Sequence, residues 1–212
     1  MEVTIKSITV GLWKTNCYLI AFGNEGLLVD PGEDFETIIN SFNLDNIKLK
    51  GIINTHGHFD HIGAVAELKE RYKIPFFIHS KDKRLIGQSN IYRGMAGDPT
   101  VKETPIIDDF LDNFEYIELK DKKVKIHYTP GHTAGCVCFE IDGNLFTGDT
   151  IYNDNIGRYD LPSGNKDMLI NSINYILKNF KGYKIYSGHG ESFILDEKHI
   201  ENIKEIMVLR QN

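Results

Sequence analysis

The sequence predicts an α/β (α+β) fold in which two sheets pack face to face and helices cover their outer sides. Short β-rich runs occur along the whole chain, amphipathic helical stretches are interleaved with them, and turn residues separate the two. The chain has 212 residues, 41% of them hydrophobic, and no Pro/Gly/Ser-rich linker. We therefore expect one globular domain spanning residues 1–212.

Ten runs rich in β-branched and aromatic residues are predicted to be strands, because turn residues bound each of them. They cover residues 3–10, 17–22, 27–30, 51–54, 74–79, 114–119, 124–128, 137–141, 145–147 and 184–187. Asp142-Gly143, between the eighth and ninth runs, is a typical two-residue hairpin turn. These short strands and tight turns predict many hairpins, which favours sheets that pack face to face.

Four stretches place apolar residues three or four positions apart, the spacing of an amphipathic helix. They cover residues 34–42, 62–72, 169–180 and 200–207. Asp196 is predicted to cap the last helix through its side chain. Residues 87–104 combine weak periodicity with Gly, Pro and polar residues, so we expect a long surface loop near the active site.

Composition disfavours several classes of partner. The net charge is −6, from 30 acidic and 24 basic residues, and without a dense Lys/Arg tract a nucleic-acid partner is not expected. No apolar run approaches the length of a membrane span, and the first residues do not resemble a secretory signal. Three cysteines are too few for a disulfide framework, which predicts a reducing, cytoplasmic location.

The strongest chemical signal is Thr55-His56-Gly57-His58-Phe59-Asp60-His61, which holds four potential metal ligands in six residues. One loop cannot easily aim all four at a single tetrahedral ion, which needs only three or four ligands. We therefore favour two neighbouring ions over a single one. His56 and His58 would bind one ion, and Asp60 and His61 would bind the other. Asp60 also stands where it could cap the helix predicted to begin at Ile62.

Three further ligand candidates each follow an apolar run and stand beside a glycine. They are His132, Asp149 and His189. Glycine lets the backbone bend sharply and approach a site closely, and active-site groups collect on loops at one edge of a rigid sheet. Each of these motifs is weak alone, but their repeated position after a strand predicts that they join the His56 loop.

The remaining histidines have weaker contexts. His79 ends a strand without a neighbouring glycine, His127 lies inside an alternating strand, and His199 is on a polar helix face, so all three are predicted to be structural. The cysteines are interpreted as small core residues. Cys136 is close to His132, which leaves a redox or soft-metal role open.

Together these motifs resemble those of the metallo-β-lactamase superfamily. The matching segments are His56-x-His58-x-Asp60-His61, Pro130-Gly131-His132-Thr133, Gly148-Asp149-Thr150, Ser187-Gly188-His189-Gly190, Asn16-Cys17-Tyr18 and Val29-Asp30-Pro31-Gly32. The resemblance covers nearly the whole chain and implies a four-layer αββα sandwich, the metallo-β-lactamase fold, with a dinuclear site at one edge. It assigns the first metal to His56, His58 and His132, the second to Asp60, His61 and His189, and a bridging position to Asp149.

Within the superfamily the chain is most similar to glyoxalase II, the hydroxyacylglutathione hydrolases. Residues 156–164, Ile-Gly-Arg-Tyr-Asp-Leu-Pro-Ser-Gly, resemble the Gly-Arg-x-Asp-x-Pro-x-Gly stretch of its short bacterial members. The resemblance implies hydrolysis of S-D-lactoylglutathione or a related thioester in methylglyoxal detoxification. Asp60 would then orient the attacking hydroxide, and Arg158, Tyr152 and Tyr159 would contact substrate.

The sequence also departs from glyoxalase II. Only 23 residues follow His189, so we expect the helical C-terminal domain of the larger enzymes to be absent or minimal. Asp160 stands two places after Arg158 where a tyrosine is usual, and Cys136 stands where several members carry histidine. These differences leave the metal ligands intact and affect recognition of glutathione.

The expected cofactors are two divalent metal ions. Zinc suits His and Asp ligands, and iron or manganese accepts the same set. The expected partner is a small-molecule thioester of glutathione or another low-molecular-weight thiol. Alternatives are a persulfide dioxygenase with one iron on His56, His132 and Asp149, a lactonase or β-lactamase, a non-catalytic electron-transfer module, and an RNA-processing enzyme.

Overall fold

The computed structural model describes residues 2–210, and its strands form two six-stranded sheets. The first sheet contains, from edge to edge, β1 (Thr4–Val10), β2 (Thr15–Phe22), β3 (Glu25–Val29), β4 (Lys48–Ile53), β5 (Phe76–Ile78) and β6 (Asp109–Phe110). β1, β2 and β3 pair antiparallel, whereas β3 to β6 pair parallel. The parallel strands therefore end at the same edge of this sheet.

The second sheet is assembled from the later strands. It contains β7 (Tyr116–Leu119), β8 (Lys122–Tyr128), β9 (Val137–Ile141), β10 (Asn144–Gly148), β11 (Lys184–Ser187) and β12 (Phe193–Ile194), in reverse order across the sheet. All neighbours pair antiparallel except β10 and β11, which are parallel. The ten predicted strands are confirmed within a few residues, and only the two-residue strands β6 and β12 were missed.

Seven α-helices lie among the described residues. They are α1 (Phe35–Phe42), α2 (Phe59–Ile62), α3 (Val65–Tyr72), α4 (Lys83–Gly87), α5 (Ser89–Met95), α6 (Lys166–Asn179) and α7 (Glu197–Leu209). Apolar faces of α1 and α3 pack on the first sheet, and those of α6 and α7 pack on the second. The predicted cap of α7 is confirmed, because Asp196 accepts a hydrogen bond from the His199 N–H at 2.9 Å.

A third apolar layer lies between the two sheets. It includes Val29 and Ile53 from the first sheet and Phe139, Phe146 and Tyr186 from the second, all buried. The rings of Phe146 and Tyr186 stack with centroids 4.9 Å apart. With helices outside both sheets, the molecule is the four-layer αββα sandwich that was predicted. The inner apolar layer packs the two sheets against each other.

The predicted helix over residues 62–72 is wrong in one respect, because the structure breaks it into α2 and α3. The break lies at Gly63 and Ala64, where the Ala64 N–H donates to the Pro31 carbonyl at 3.1 Å. A Cβ atom at Gly63 would lie only 2.2 Å from the Gly32 carbonyl oxygen. Close packing of two backbones interrupts the helix here, and apolar spacing alone does not reveal it.

The predicted loop over residues 87–104 is also corrected. Residues up to Met95 form α4 and α5, and only the segment after them is irregular. Leu85, Ile86 and Arg93 are buried, so this helical pair has an inward face. Gly87 and Gly94 obscured that face in the sequence, because they interrupt the apolar spacing.

None of the helices in residues 2–210 has the length and apolar character needed to cross a lipid bilayer. Residues 1, 211 and 212 lie outside the described part of the chain. The interpretation of residues 1–212 as a single domain stays a prediction.

Candidate metal centre

The structure brings the seven predicted ligands together at one edge of the sandwich. They form two groups, His56 with His58, His132 and Asp149, and Asp60 with His61 and His189. The first-sheet ligands follow β4, in the loop to α2 and in α2 itself. The second-sheet ligands follow β8, β10 and β11. The edge was predicted from strand ends, and the two sheets bring those ends face to face.

The first group is compact. Nδ1 of His58 lies 3.1 Å from Nε2 of His56 and 2.9 Å from Nε2 of His132. Oδ2 of Asp149 lies 3.4 Å from Nε2 of His132 and 4.0 Å from Nε2 of His56. All four ligand atoms lie within 4.8 Å of one another, which is the spacing of donors around one cation.

The second group shares Asp149 with the first. Oδ2 of Asp60 lies 3.6 Å from Nε2 of His61 and 3.5 Å from Nε2 of His189. Oδ1 of Asp149 lies 3.5 Å from Nε2 of His61, and its Oδ2 lies 3.5 Å from Nε2 of His189. The Asp149 carboxylate therefore lies between the two groups, the position that the resemblance assigned to a bridging ligand.

Most of the imidazoles contact a second polar group through Nδ1, which fixes the orientation of the ring. These contacts join His56 to the Thr55 hydroxyl (3.1 Å), His61 to Asp30 (3.1 Å), His132 to the Arg158 carbonyl (2.7 Å) and His189 to the Lys14 carbonyl (3.3 Å). A carbonyl oxygen only accepts, so Nδ1 of His132 donates to the Arg158 carbonyl and Nε2 is the ring nitrogen that faces the site.

Asp30 is a supporting residue whose role the sequence reasoning missed. Its buried carboxylate accepts hydrogen bonds from the Thr55 N–H at 2.8 Å and the Thr55 hydroxyl at 2.6 Å, besides contacting His61. It thus holds the start of the ligand loop and the His61 ring together. The available signal was its position, since Asp30 directly follows β3 just as Asp149 directly follows β10.

Asp60 is held by the first hairpin of the chain and does not cap a helix. The Thr15 hydroxyl donates to Oδ2 of Asp60 at 3.1 Å, and α2 has no side-chain cap. The alternative capping role is therefore not observed. A Cβ atom at position 32 would lie 1.9 Å from the Asp60 carbonyl oxygen, so Gly32 is required for this turn to pack so closely.

The pKa values of the imidazoles in the cluster shift in two opposite directions. Burial works against the charged form of His61, but the surrounding carboxylates outweigh it and raise its pKa to about 9. At His189 burial is likewise outweighed, by hydrogen bonds to Asp149 and Asp60, and the pKa rises to about 11. Burial, followed by repulsion from His132, lowers the pKa of His58 to about 3.

The unpaired atoms of the cluster test whether metal ions fit it. Nε2 of His61 and Oδ1 of Asp149 are buried and have no hydrogen-bond partner among the described residues. A buried group without a partner is costly, and a cation between these two atoms would satisfy both. A Cβ atom at Gly188 would lie 2.1 Å from Oδ1 of Asp149, so glycine keeps this space clear. The donor set and its open space fit divalent metal ions.

The three histidines predicted to be structural lie outside both ligand groups. Nδ1 of His79 accepts from the Lys81 N–H at 3.2 Å. His127 contacts Tyr175 and Glu140, and His199 contacts Asp196 and Asn153. Each ring therefore stabilises local structure, as predicted.

The described cysteines are free and buried, in agreement with their interpretation as core residues. Sγ of Cys136 accepts a hydrogen bond from the Thr133 N–H at 3.2 Å, and burial raises the pKa of its thiol. A thiol with a raised pKa is a poor nucleophile and a poor metal ligand. The contacts of Cys136 therefore assign it to the support of the His132 loop.

A cavity of about 530 Å³ opens beside the two groups. Apolar side chains form much of its wall: Trp13, Phe59, Leu85, Tyr92, Met95, Ala96, Leu161 and Pro162. α4 and α5 supply several of them, so the predicted position of this segment near the site is confirmed although its conformation is helical. The sequence did not mark these residues, because an apolar side chain carries no signal that separates a cavity wall from a core.

Two of the three predicted substrate contacts lie on the cavity wall. Tyr152 is on the cavity wall, where burial and then the adjacent Asp149 raise the pKa of its phenol well above its usual range. Arg158 is on the wall and pairs with Asp160 through two hydrogen bonds of 3.0 and 2.9 Å, both side chains being exposed. Tyr159 is absent from the described wall, because its ring packs against the core under α6 and α7 and its hydroxyl donates to the Arg210 carbonyl.

The chain belongs to the metallo-beta-lactamase superfamily, whose family model matches residues 10–189. A probable metallo-hydrolase of Methanocaldococcus jannaschii is 35% identical over 187 residues, which cover 84% of this chain and 89% of that protein. The hydroxyacylglutathione hydrolase GloC of Haemophilus influenzae is 30% identical over 205 residues, covering 94% of this chain and 97% of that protein.

Solved structures agree with the family match. The crystal structure of the BLEG-1 B3 metallo-beta-lactamase superposes with a TM-score of 0.81 at 30% identity, covering 91% of this chain and 94% of that one. The crystal structure of TTHA1623 in a di-iron-bound form gives a TM-score of 0.81 at 29% identity, covering 90% and 94%. Fold, ligand cluster and relatives together define the chain as a metallo-hydrolase of this superfamily.

Proposed function

We propose that this metallo-hydrolase cleaves a thioester, with S-D-lactoylglutathione or a related hydroxyacylglutathione as substrate. The observation that carries the proposal is the position of Asp149 between two complete ligand groups, which provides for two cations beside one cavity. A hydroxyacylglutathione hydrolase is among the relatives that match nearly the whole chain. The Gly-Arg-x-Asp-x-Pro-x-Gly pattern of residues 157–164 supports the same substrate class.

The proposed ligands are His56, His58 and His132 on one cation and Asp60, His61 and His189 on the other, with Asp149 on both. Two cations bound there would supply hydroxide at neutral pH, because metal binding lowers the pKa of water from about 15.7 to about 7, and would polarise the acyl carbonyl. Zinc is the metal we favour for these ligands, and iron or manganese suits them as well. The di-iron-bound form of TTHA1623 is the reason to include iron in the metal analysis.

Asp60 is the residue that we assign to orienting the attacking hydroxide. It lines the cavity, and Thr15 and His189 hold its carboxylate in place. An ionised carboxylate accepts hydrogen bonds and cannot donate them. It can therefore align a hydroxyl group by accepting its hydrogen. The hydroxide would form a new C–O bond at the acyl carbon, the C–S bond would break, and the sulfur would leave with the electron pair as a thiolate.

The side chains around the cavity match a thiol leaving group. An alkyl thiol has a pKa of about 8.5, so the departing sulfur needs little protonation near neutral pH. The described wall offers no lysine or glutamate as a general acid, and its other titratable groups outside the ligand set are the tyrosines and Arg158. An amide or alkoxide leaving group would require such an acid more strongly.

Recognition of the thiol portion is assigned to Arg158 and Tyr152 on the cavity wall. A guanidinium forms paired hydrogen bonds with a carboxylate, and glutathione carries carboxylates. Asp160 already forms such a pair of hydrogen bonds with Arg158. A substrate carboxylate therefore has to displace Asp160, and the ion pair that it replaces is exposed and weak. Tyr159 is not assigned to this role, because its ring packs against the core under α6 and α7 and its hydroxyl donates to the Arg210 carbonyl. Glutathione as substrate also places the reaction in a reducing compartment such as the cytoplasm.

The test combines metal analysis with a substrate panel. We expect purified protein to contain close to two metal ions per chain and to hydrolyse S-D-lactoylglutathione. Oxygen uptake with glutathione persulfide and one iron per chain would instead support the dioxygenase, and hydrolysis of lactones or β-lactams alone would support those rivals. Full metal loading without activity on any glutathione thioester contradicts the proposed substrate.

A further inference from the structure

Asp82 joins two metal-ligand loops that come from different sheets. Its carboxylate is fully buried, at the end of a short 3₁₀ turn that follows β5. Oδ2 accepts hydrogen bonds from the Gly57 N–H at 2.8 Å and the Thr133 hydroxyl at 2.7 Å. Oδ1 accepts one from the Gly135 N–H at 2.8 Å. One side chain thus contacts both loops at three points.

The positions of these donors tie them to the proposed ligands. Gly57 lies between His56 and His58, and Thr133 directly follows His132. These three histidines are the imidazoles of the first ligand group. The buried carboxylate therefore sets the distance between the loop that carries two of them and the loop that carries the third.

The three hydrogen bonds stabilise the carboxylate of Asp82, and none of them comes from a cationic side chain. Burial raises the pKa of this carboxyl group, and the hydrogen bonds from Thr133, Gly57 and Gly135 oppose that effect. His79 acts on this carboxylate only electrostatically, and its Nδ1 accepts a hydrogen bond from the Lys81 N–H. A carboxylate satisfied only by loop donors loses its stabilisation whenever the loops move apart.

The two glycine donors also make room for the carboxylate. A Cβ atom at Gly135 would lie 2.6 Å from Cγ of Asp82, and one at Gly57 would lie 3.1 Å from its Cβ. Both loops approach Asp82 more closely than a larger residue would permit. On the other side of Thr133, Sγ of Cys136 accepts the Thr133 N–H at 3.2 Å, which further restrains this loop.

We propose that Asp82 is a positioning residue that holds His56 and His58 against His132 and thereby sets the metal affinity of that ligand group. The inference rests on the metal centre of the proposed function but is independent of the substrate. Asp82 does not contact the ligand atoms itself. Its effect is the alignment of three imidazoles, which a metal ion requires to bind all of them at once.

The experiment is a cobalt(II) titration of the full-length, chelator-treated protein, followed by visible absorption and calorimetry. Asp82→Asn keeps the size of the side chain but turns an amide donor toward Gly57 or Gly135. We expect the affinity at one of the two sites to fall by about 10- to 100-fold, the range for partners behind a metal ligand, with a changed absorption band. The other site should lose much less affinity.

Matched variants separate positioning from a general loss of stability. Asp112→Asn is the control. Asp112 accepts two hydrogen bonds of 2.8 Å from Ser80, which lies in the same 3₁₀ turn as Asp82, but Asp112 reaches neither ligand loop. Its cobalt affinities should equal those of the wild type. Thr133→Val removes one of the three hydrogen bonds and should lower the affinity of the same site, whereas Thr133→Ser should restore it. This pair keeps the test decisive if Asp82→Asn does not fold.

Unchanged cobalt affinities and spectra in Asp82→Asn or Thr133→Val, even with a lower melting temperature, would overturn the inference. Wild-type protein that binds no cobalt would contradict the metal centre and this inference with it. Normal cobalt binding by the wild type without thioesterase activity would contradict only the substrate. The failure of the two proposals can therefore be told apart.

Discussion

Asp149 is the residue on which both halves of the centre depend. One of its oxygens lies 3.5 Å from His61, and the other lies 3.4 Å from His132 and 3.5 Å from His189. Burial works against its charge, but His61 and the other imidazoles outweigh it and keep the pKa of this carboxyl well below its usual range. It is therefore ionised at neutral pH, as a bridging ligand has to be.

Replacing Asp149 by asparagine should remove the bridge with little change of volume. We expect Asp149→Asn to retain less than two metal ions per chain, because the amide is neutral and presents only one acceptor atom. Thioesterase activity should fall by more than about 100-fold, since changes even behind the ligands cost 10- to 100-fold. Elemental analysis and initial rates measure the two effects.

The control for this prediction is Asp154→Asn, which changes an exposed carboxylate in the same loop. It should keep wild-type metal content and rates. A metal content of two in Asp149→Asn, with activity close to wild type, would show that Asp149 does not bridge.

At this scale the sequence predicted the identity of the ligands but not their orientation. His and Asp residues in the segments that follow strands are visible in the sequence, so all seven members of the cluster could be named as candidate ligands. That His58 faces the group through Nδ1 while His56 and His132 use Nε2 depends on side-chain torsions. Those torsions follow from packing between loops that are distant in the chain.

At the scale of elements, α5 is fastened to the ligand turn by Arg93. This side chain is 1% exposed and pairs with Glu33 and with Asp98, the latter at 2.6 Å. Its guanidinium also donates to the Phe59 carbonyl at 3.2 Å and lies 5.1 Å from the centre of the Phe59 ring. Because Phe59 directly precedes Asp60, Arg93 connects the cavity wall to the metal-ligand turn.

Loss of this buried cation should destabilise the protein strongly. Arg93→Met leaves the carboxylates of Glu33 and Asp98 without their partner, and breaking a buried pair in this way costs about 3–5 kcal/mol. We expect urea titrations to show a free energy of unfolding that is lower by roughly that amount. Arg84→Met is the matched control, because Arg84 is an exposed residue on α4 and its replacement should have little effect.

An equal stability of the Arg93→Met and Arg84→Met proteins would contradict this role for Arg93. The sequence did not predict it, since an arginine in a segment with two glycines is typical of a surface loop. Burial of Arg93 requires carboxylates from two other loops and a backbone carbonyl from α2. Only the assembled structure brings these partners together.

At the scale of the whole molecule, the metal centre lies where the two sheets meet. Its first-sheet and second-sheet ligands belong to separate loops, and the carboxylates of Asp30, Asp60 and Asp149 lie among them. Cations bound there would connect the two sheets and neutralise these charges. Metal binding should therefore stabilise the folded protein as a whole.

Chelation is expected to lower the melting temperature. A ligand at 100 times its dissociation constant contributes about 2.7 kcal/mol of stability, and 1 kcal/mol shifts the melting temperature of a chain of this size by about 2–4 °C. We expect EDTA to lower it by roughly 5–10 °C in calorimetry, and added zinc to restore it. The Asp149→Asn protein should show a smaller decrease, and an unchanged wild-type melting temperature would contradict this coupling.

The sequence by itself predicted two packed sheets with helices outside them, most of the strands and main helices, and the seven residues of the His/Asp cluster, because apolar periodicity and residue type are local properties. The tertiary structure decided what depends on distant segments meeting. It placed Asp149 between the two groups, Asp30 and Asp82 behind the histidines, and the half-buried ring of Tyr159 against the core and away from the cavity wall. The physical reason is that such positions result from the packing of two sheets and their loops, and no single segment encodes that packing.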